Sequence, residues 1–290
     1  MHIDNLKSLF TERPRPMYDK EFHDFGKSLV TVKNDMFNSE DSGGFFCRKV
    51  DQWLRSSKLN EFTGMEKFTH RHVIQGVTQF IDDLYQMNLG NIFTLDHDYM
   101  YHKRLYDDKY VLTDITQIKE NSNLLISMPF PFYGDVHHNM EFILSHCLEK
   151  NVKVHIDAAW IGCTRNIKIN FDHFAIHSIG FSLSKGLGLG YSRIGVRYAR
   201  DIMRGPITIM NDFTMITRPL CWWGMEFINH FGHDHLQNKY YEYYKELCAT
   251  HDLIESKSIH LAHQMENGEL RPVGVRPALE HLYKNDKSKS

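Results

Sequence analysis

His155-Ile156-Asp157-Ala158-Ala159-Trp160 and Ser182-Leu183-Ser184-Lys185-Gly186 each close an apolar run that reads as a β-strand. Val152, Val154 and Ile156 recur at the two-residue period of a strand, and Asp157 ends the pattern. Residues 174–181 form the next such run, ending at Ser182. An acid at one strand end, a lysine flanked by serine and glycine at the next, and Arg193-Ile194-Gly195 shortly after make this the most informative region of the chain.

Working outward, the pattern keeps alternating. Val73, Val77, Ile81 and Leu84 follow helical spacing, with Gly90 just past the expected helix end. Residues 91–95 and 124–128 read as short strands, the second stopped by Pro129 and Pro131. Met140, Ile143, Leu144, Cys147 and Leu148 make another helical face. Strands separated by helices require crossover connections. The expected fold is therefore α/β, a mostly parallel central sheet flanked by helices. Ligands in such sheets bind beyond the carboxyl ends of the strands, where Asp157 and Ser182–Lys185 both fall.

Three regions are expected. Residues 1–45 read as a polar, irregular N-terminal arm, with Pro14, Pro16 and residues 39–44 as loop signals. Residues 46–215 carry the large α/β domain. Residues 216–290 form a reduced, mainly helical small domain. In it, residues 219–265 read as helical, with an aromatic set from Trp222 to Tyr244 suited to core or interface. Pro272 and Pro277 punctuate a short final segment, and residues 284–290 read as a frayed polar tail.

Composition narrows the function classes. The chain has 290 residues, 42% of them hydrophobic, enough for a substantial core. Its 34 basic and 36 acidic residues give a net charge of −2 with no charge block, so neither nucleic acid nor a membrane is an expected partner. The N-terminal residues lack a signal-peptide pattern, and the five cysteines lack C-x-x-C spacing. Both point to a reduced, cytoplasmic protein. Among 19 histidines, His137-His138 and His233-Asp234-His235 lack the spacing of a zinc site, and no metal is expected.

The central residues suit one chemistry. A lysine amine forms a Schiff base with an aldehyde when its pKa is low enough to leave it neutral, and Lys185 with a neighbouring cation such as Arg193 meets that need. A carboxylate such as Asp157 keeps a pyridine nitrogen protonated, and Ala158-Ala159 leave room for a flat ring. Ser182 and Arg193 suit phosphate oxygens, and Gly76-Val77-Thr78 offers free N–H groups at a helix start. Pyridoxal 5′-phosphate (PLP) combines an aldehyde, a pyridine ring and a phosphate.

This set resembles the class I/II aminotransferases among the fold-type-I PLP enzymes, from about Gly76 to Arg197. The family's strand-terminal Asp-x-Ala-Tyr reads here Asp157-Ala158-Ala159-Trp160, its Ser-x-Ser/Ala-Lys reads Ser182-Leu183-Ser184-Lys185, and its Arg-x-Gly reads Arg193-Ile194-Gly195. The resemblance implies that Lys185 and Asp157 are catalytic and that Gly76, Val77, Thr78, Ser182 and Arg193 hold the phosphate. It also implies that Tyr99, with Tyr101 as the competing choice, stacks on the cofactor ring. Arg271, in Leu270-Arg271-Pro272-Val273-Gly274, is similar to the arginine that grips the substrate carboxylate. The resemblance further implies a homodimer acting on a small amino acid or amine and a 2-oxo acid.

Two departures stand out. The family's Asn-Pro-x-Gly is replaced by Pro129-Phe130-Pro131-Phe132-Tyr133-Gly134, and its Tyr by Trp160, so both usual partners of the cofactor's phenolic oxygen are changed. The C-terminal region is also short. Other PLP-dependent reactions (a decarboxylase, lyase or aldolase) and a non-catalytic PLP-fold binding protein remain as alternatives.

Overall fold

A computed structural model of the chain describes residues 3–29, 42–87, 89–104 and 108–287. Its strands, in chain order, are β1 (Glu61–Thr63), β2 (His70–Ile74), β3 (Ile92–Leu95), β4 (Val111–Leu112), β5 (Asn123–Ser127), β6 (Lys153–Asp157), β7 (Lys168–Asn170), β8 (Ile176–Ser182), β9 (Gly195–Ala199), β10 (Ile254–Glu255), β11 (Leu261–Glu266) and β12 (Glu269–Gly274). The helices are α1 (Lys20–Ser28), α2 (Ser42–Arg55), α3 (Val77–Gln86), α4 (Met100–Arg104), α5 (Met140–Glu149), α6 (Leu183–Gly186), α7 (Pro206–Asp212), α8 (Arg218–His230), α9 (His235–Thr250) and α10 (Arg276–Lys287).

Seven strands form the central sheet in the order β2-β9-β8-β6-β5-β3-β4. The pairs β3/β4, β3/β5, β5/β6 and β6/β8 are parallel, while β9 runs antiparallel to both β8 and β2. The sheet is thus mixed but mostly parallel, with apolar cores on both faces. Leu124, Ile126, Val154 and Ile156 belong to one core. Leu125, on the opposite face, packs with Phe80, Ile81 and Leu84 of α3. The alternation along β5 is the two-residue period expressed in a strand buried on both sides. His155 faces inward as well: Ser178 and Asn123 hydrogen-bond its two ring nitrogens at 2.7 and 3.1 Å, and burial holds its pKa well below the usual value.

Helix α3 lies unusually close to the sheet, and a glycine allows it. A Cβ on Gly180 of β8 would sit 2.3 Å from Cδ1 of the fully buried Phe80. The buried pair Arg197–Asp83, at 2.8 Å, ties α3 to β9, and Asp83 also accepts from the Ile207 N–H at 2.9 Å. Gly180→Ala is expected to push α3 off the sheet and cost about 1–3 kcal/mol, the usual range for overpacking a filled core. Urea unfolding tests it, and an unchanged midpoint would contradict the close-packing account.

Several expectations need correction. Val73 lies in β2, paired with Val196, rather than on the helix its spacing suggested; the helix starts only at Val77, after Gly76 turns the chain at φ 78°. Strand pairing outweighed the local periodicity. In the C-terminal region, helices α8 to α10 are interrupted by the antiparallel sheet β10-β11-β12, so the helical reading of 219–265 fails beyond residue 250. The final helix reaches Lys287, so the supposed tail is helical that far; residues 288–290 lie outside the described residues. The supposed irregular arm contains α1, capped by the Asp19 side chain accepting from the Glu21 N–H, and it buries Leu6, Met17 and Phe22 in the main core. Residues 1–2 and 30–41 of that arm lie outside the described residues.

Candidate active site

The topology gathers the functional residues along one edge of the sheet. Strands β3, β5, β6 and β8 are parallel, so Leu95, Ser127, Asp157 and Ser182 all end at the same rim. Because β9 runs back, its first residue pairs with Ser182 and its register partner on β2 is Ile74. Arg193 therefore enters, and Gly76 leaves, at that same rim. A cavity of about 640 Å³ opens there, lined by Val77, Thr78, Tyr99, Asp157, Trp160, Ser182, Lys185 and Arg193 together with residues from both ends of the chain.

At its floor Asp157 is buried. One carboxylate oxygen accepts from the Ala159 N–H at 2.9 Å, and the other lies 3.4 Å from Nε2 of His102. His102, on α4, is itself buried, with Nδ1 3.6 Å from Asp98. Asp98 is fixed by the N–H groups of Tyr99 and Ser127 at 2.6 and 2.9 Å. Burial by itself would lower the His102 pKa, but the two carboxylates outweigh it and raise it to about 9. The imidazolium form is thus held between two acids, and its charge in turn holds Asp98 below its usual pKa against the opposing effect of burial. Sequence reading missed His102 and Asp98. Their i, i+4 spacing beside Tyr99 was the available signal.

Lys185 sits on the short helix α6, whose N-cap Ser182 accepts from the Ser184 N–H. Burial lowers the Lys185 pKa and Arg193 adds to that effect, while Cys163 and Asp157 oppose it. Its Nζ lies 4.9 Å above the Trp160 ring. The other partner of that indole is His260, stacked at 3.7 Å and 12°. His260 is buried, its Nδ1 has no hydrogen-bond partner among the described residues, and burial with the Lys185 charge lowers its pKa to about 3, so it stays neutral. No local pattern marks His260, which comes from the segment before β11.

The residues expected to bind an anion also come together. Gly76 takes a left-handed φ of 78° as the N-cap of α3, where the Gln79 side chain accepts from the Gln75 N–H at 2.7 Å. A Cβ at Gly76 would be 3.1 Å from the Arg193 guanidinium. Arg193 donates to Oγ1 of Thr78 at 2.5 Å and to the Gln75 carbonyl at 3.3 Å. A guanidinium, a hydroxyl and the first N–H groups of a ten-residue helix therefore face one spot, an arrangement suited to a dianion. Ser182 and Ser184 hydrogen-bond each other at 2.7 Å alongside.

Tyr99 and Tyr101 both line the cavity, their rings 6.3 Å apart. The Tyr101 hydroxyl donates to Asp82 at 2.8 Å, whereas the Tyr99 ring meets His102 edge-on at 5.6 Å, directly beside the acid pair. Arg271 lies apart from this group. Its side chain is half-exposed on β12, pairs with Glu266 at 2.8 Å, and does not line the cavity. The strand's two-residue alternation turns Arg271 outward, and its neighbour Pro272 lines the cavity instead. Among the described residues Asp19, Glu21 and His235 approach metal-ligand distances, but Lys239 already sits 2.7 and 3.0 Å from the two acids.

No known protein family matches the sequence, and no curated protein matches it. Solved structures do. The apo form of BacF from Bacillus subtilis superposes with a TM-score of 0.62 at 14% identity, covering 99% of this chain and 95% of that one. An aminotransferase from Staphylococcus aureus gives 0.60 at 12% identity, covering 95% and 91%. Aspartate aminotransferase from Thermus thermophilus gives 0.59 at 10%, covering 87% and 75%. The chain has the aminotransferase-like fold.

Proposed function

We propose that this protein, built on the aminotransferase-like fold, is a PLP-dependent aminotransferase that moves an amino group between an amino acid or amine and a 2-oxo acid. The observation that carries this reading is the meeting of Asp157, Lys185 and an Arg193-backed helix N-terminus around one cavity. The residues fit the cofactor: Gly76 leaves open a cradle that a Cβ would crowd, and a buried acid and a lysine of lowered pKa share its rim.

When bound, PLP supplies a carbonyl that reacts with amines and a ring that withdraws electrons from the substrate α-carbon. The protein's own groups do the rest. Arg193, Thr78, Ser182 and the N–H groups of Val77 and Thr78 hold the phosphate. Asp157, backed by His102, would hold a proton on the ring nitrogen, and Tyr99 would cover one ring face. Lys185 carries the covalent link through Nζ. When not engaged in that link, the Nζ amine would serve as base for the substrate α-carbon proton and hold it until it is returned as acid. Burial lowers its pKa, in the direction the first role needs.

A second reading, another PLP-dependent reaction such as decarboxylation, draws on Phe130 and Trp160 standing where the family keeps Asn and Tyr. The same experiment separates them. Purified protein is reduced with borohydride and its peptides weighed, then incubated with amino acids and 2-oxo acids. A cofactor adduct on Lys185 and release of 2-oxo acid are expected. Release of carbon dioxide favours the second reading, and no adduct would leave only a binding role. The reading extends to a homodimer, with the exposed Tyr191, Phe213 and Met215 as apolar surface for a second copy. It extends also to a reducing cytoplasm, suited to five buried, unpaired cysteines. No helix among the described residues is long and apolar enough to cross a membrane.

A further inference from the structure

We infer that Arg13, on the N-terminal strap, takes the substrate's carboxylate in place of Arg271; this rests on the PLP reading above. Arg13 lines the cavity, and Arg271 does not. The strap is held there by its backbone. Thr11 and Gly274 exchange hydrogen bonds at 2.9 and 2.7 Å in an antiparallel bridge, which sets Arg13 alongside Pro272 on the cavity side of β12. The Thr11 hydroxyl donates to the Arg13 carbonyl at 2.9 Å, and a Cβ on Gly274 would come within 2.9 Å of that carbonyl. Pro14 follows and favours an extended Arg13.

Apart from Glu12, the other charged groups of the cavity are engaged. Arg193 is bonded to Thr78 and Gln75, Asp157 and Asp98 flank His102, and Lys185 is reserved for the covalent link. The Arg13 guanidinium has no ion pair or side-chain hydrogen bond among the described residues, and its planar fork matches a carboxylate bidentately. Its neighbour Glu12 also lines the cavity but makes no ion pair with it among the described residues. The remaining wall includes the aromatic rings of Tyr99, Phe130, Phe132 and Trp160. The site thus fits an α-amino acid with an aromatic side chain.

The experiment titrates the cofactor's visible band with L-phenylalanine and with 2-phenylethylamine, which lacks the carboxylate. Wild-type protein is expected to prefer the amino acid. Arg13→Ala should weaken it by about 10- to 100-fold, the worth of a charge-assisted hydrogen bond, and leave the amine unchanged. Arg13→Lys should recover part of the loss, and Arg271→Ala should alter neither ligand. A preference that survives Arg13→Ala, or that Arg271→Ala removes, overturns the inference. So does a wild-type protein that carries the cofactor on Lys185 and shows no preference. If borohydride reduction leaves no cofactor on Lys185, the PLP reading itself fails.

Discussion

Lys185→Ala abolishes the borohydride-trapped cofactor adduct and lowers amino-group transfer by about 10⁴-fold, the upper range for losing a positioned acid–base group. Its Nζ projects from α6 over Trp160, in the same cavity as the buried Asp157 and the Arg193 cradle. The fold should tolerate the change, because α6 is capped by Ser182 and not by the lysine. The variant should still bind the cofactor through the phosphate cradle, without the covalent bond. Peptide mass analysis and a transfer assay check both halves. An adduct persisting on another lysine, or transfer within tenfold of wild type, would remove Lys185 from the chemistry.

The second large effect is on pH and stability together. The His102 pKa in the folded protein, about 9, stands above its value of 6.5 without partners, because Asp98 and Asp157 outweigh the opposing effect of burial. A raised pKa stabilises the fold fully below pH 6.5, and that stabilisation is lost as pH rises through about 9. The contribution is about 3 kcal/mol, from the shift in pKa. Urea unfolding at pH 6 and pH 9.5 should show that loss in wild type. Asp157→Ala removes one of the two acids, costs about 3–5 kcal/mol at pH 6 as a broken buried pair, and flattens the pH dependence. An Asp157→Ala protein with the wild-type pH slope would mean that His102 does not titrate with this acid.

The sequence exposed what local periodicity and strand-end chemistry can carry. Strands β5, β6 and β8 were legible because they are buried on both faces and bounded by clear breakers, and Asp157 and Lys185 stood at their ends. The start of α3 was not, since Val73 fits a helical stripe until β2 pairs with β9 far along the chain. His260 and the strap escaped because their positions depend on long-range pairing with no local signature. Arg271 stands apart from the cavity for a related reason: a motif fixes which residue is present, but the register of β12 decides which way it points.

The bridge between Thr11 and Gly274 joins residues 263 positions apart. Closing so long a loop is slow, and contacts of this separation form late in folding. On the ribosome, Asp157, Lys185 and Arg193 emerge well before β12 exists, so the sheet edge can assemble while one wall of the cavity is still missing. The cavity is therefore enclosed only after β12 has been made. Only a chain translated through Gly274 has both sides of the cavity in place, and a chain stopped earlier would present Lys185 in an open trough.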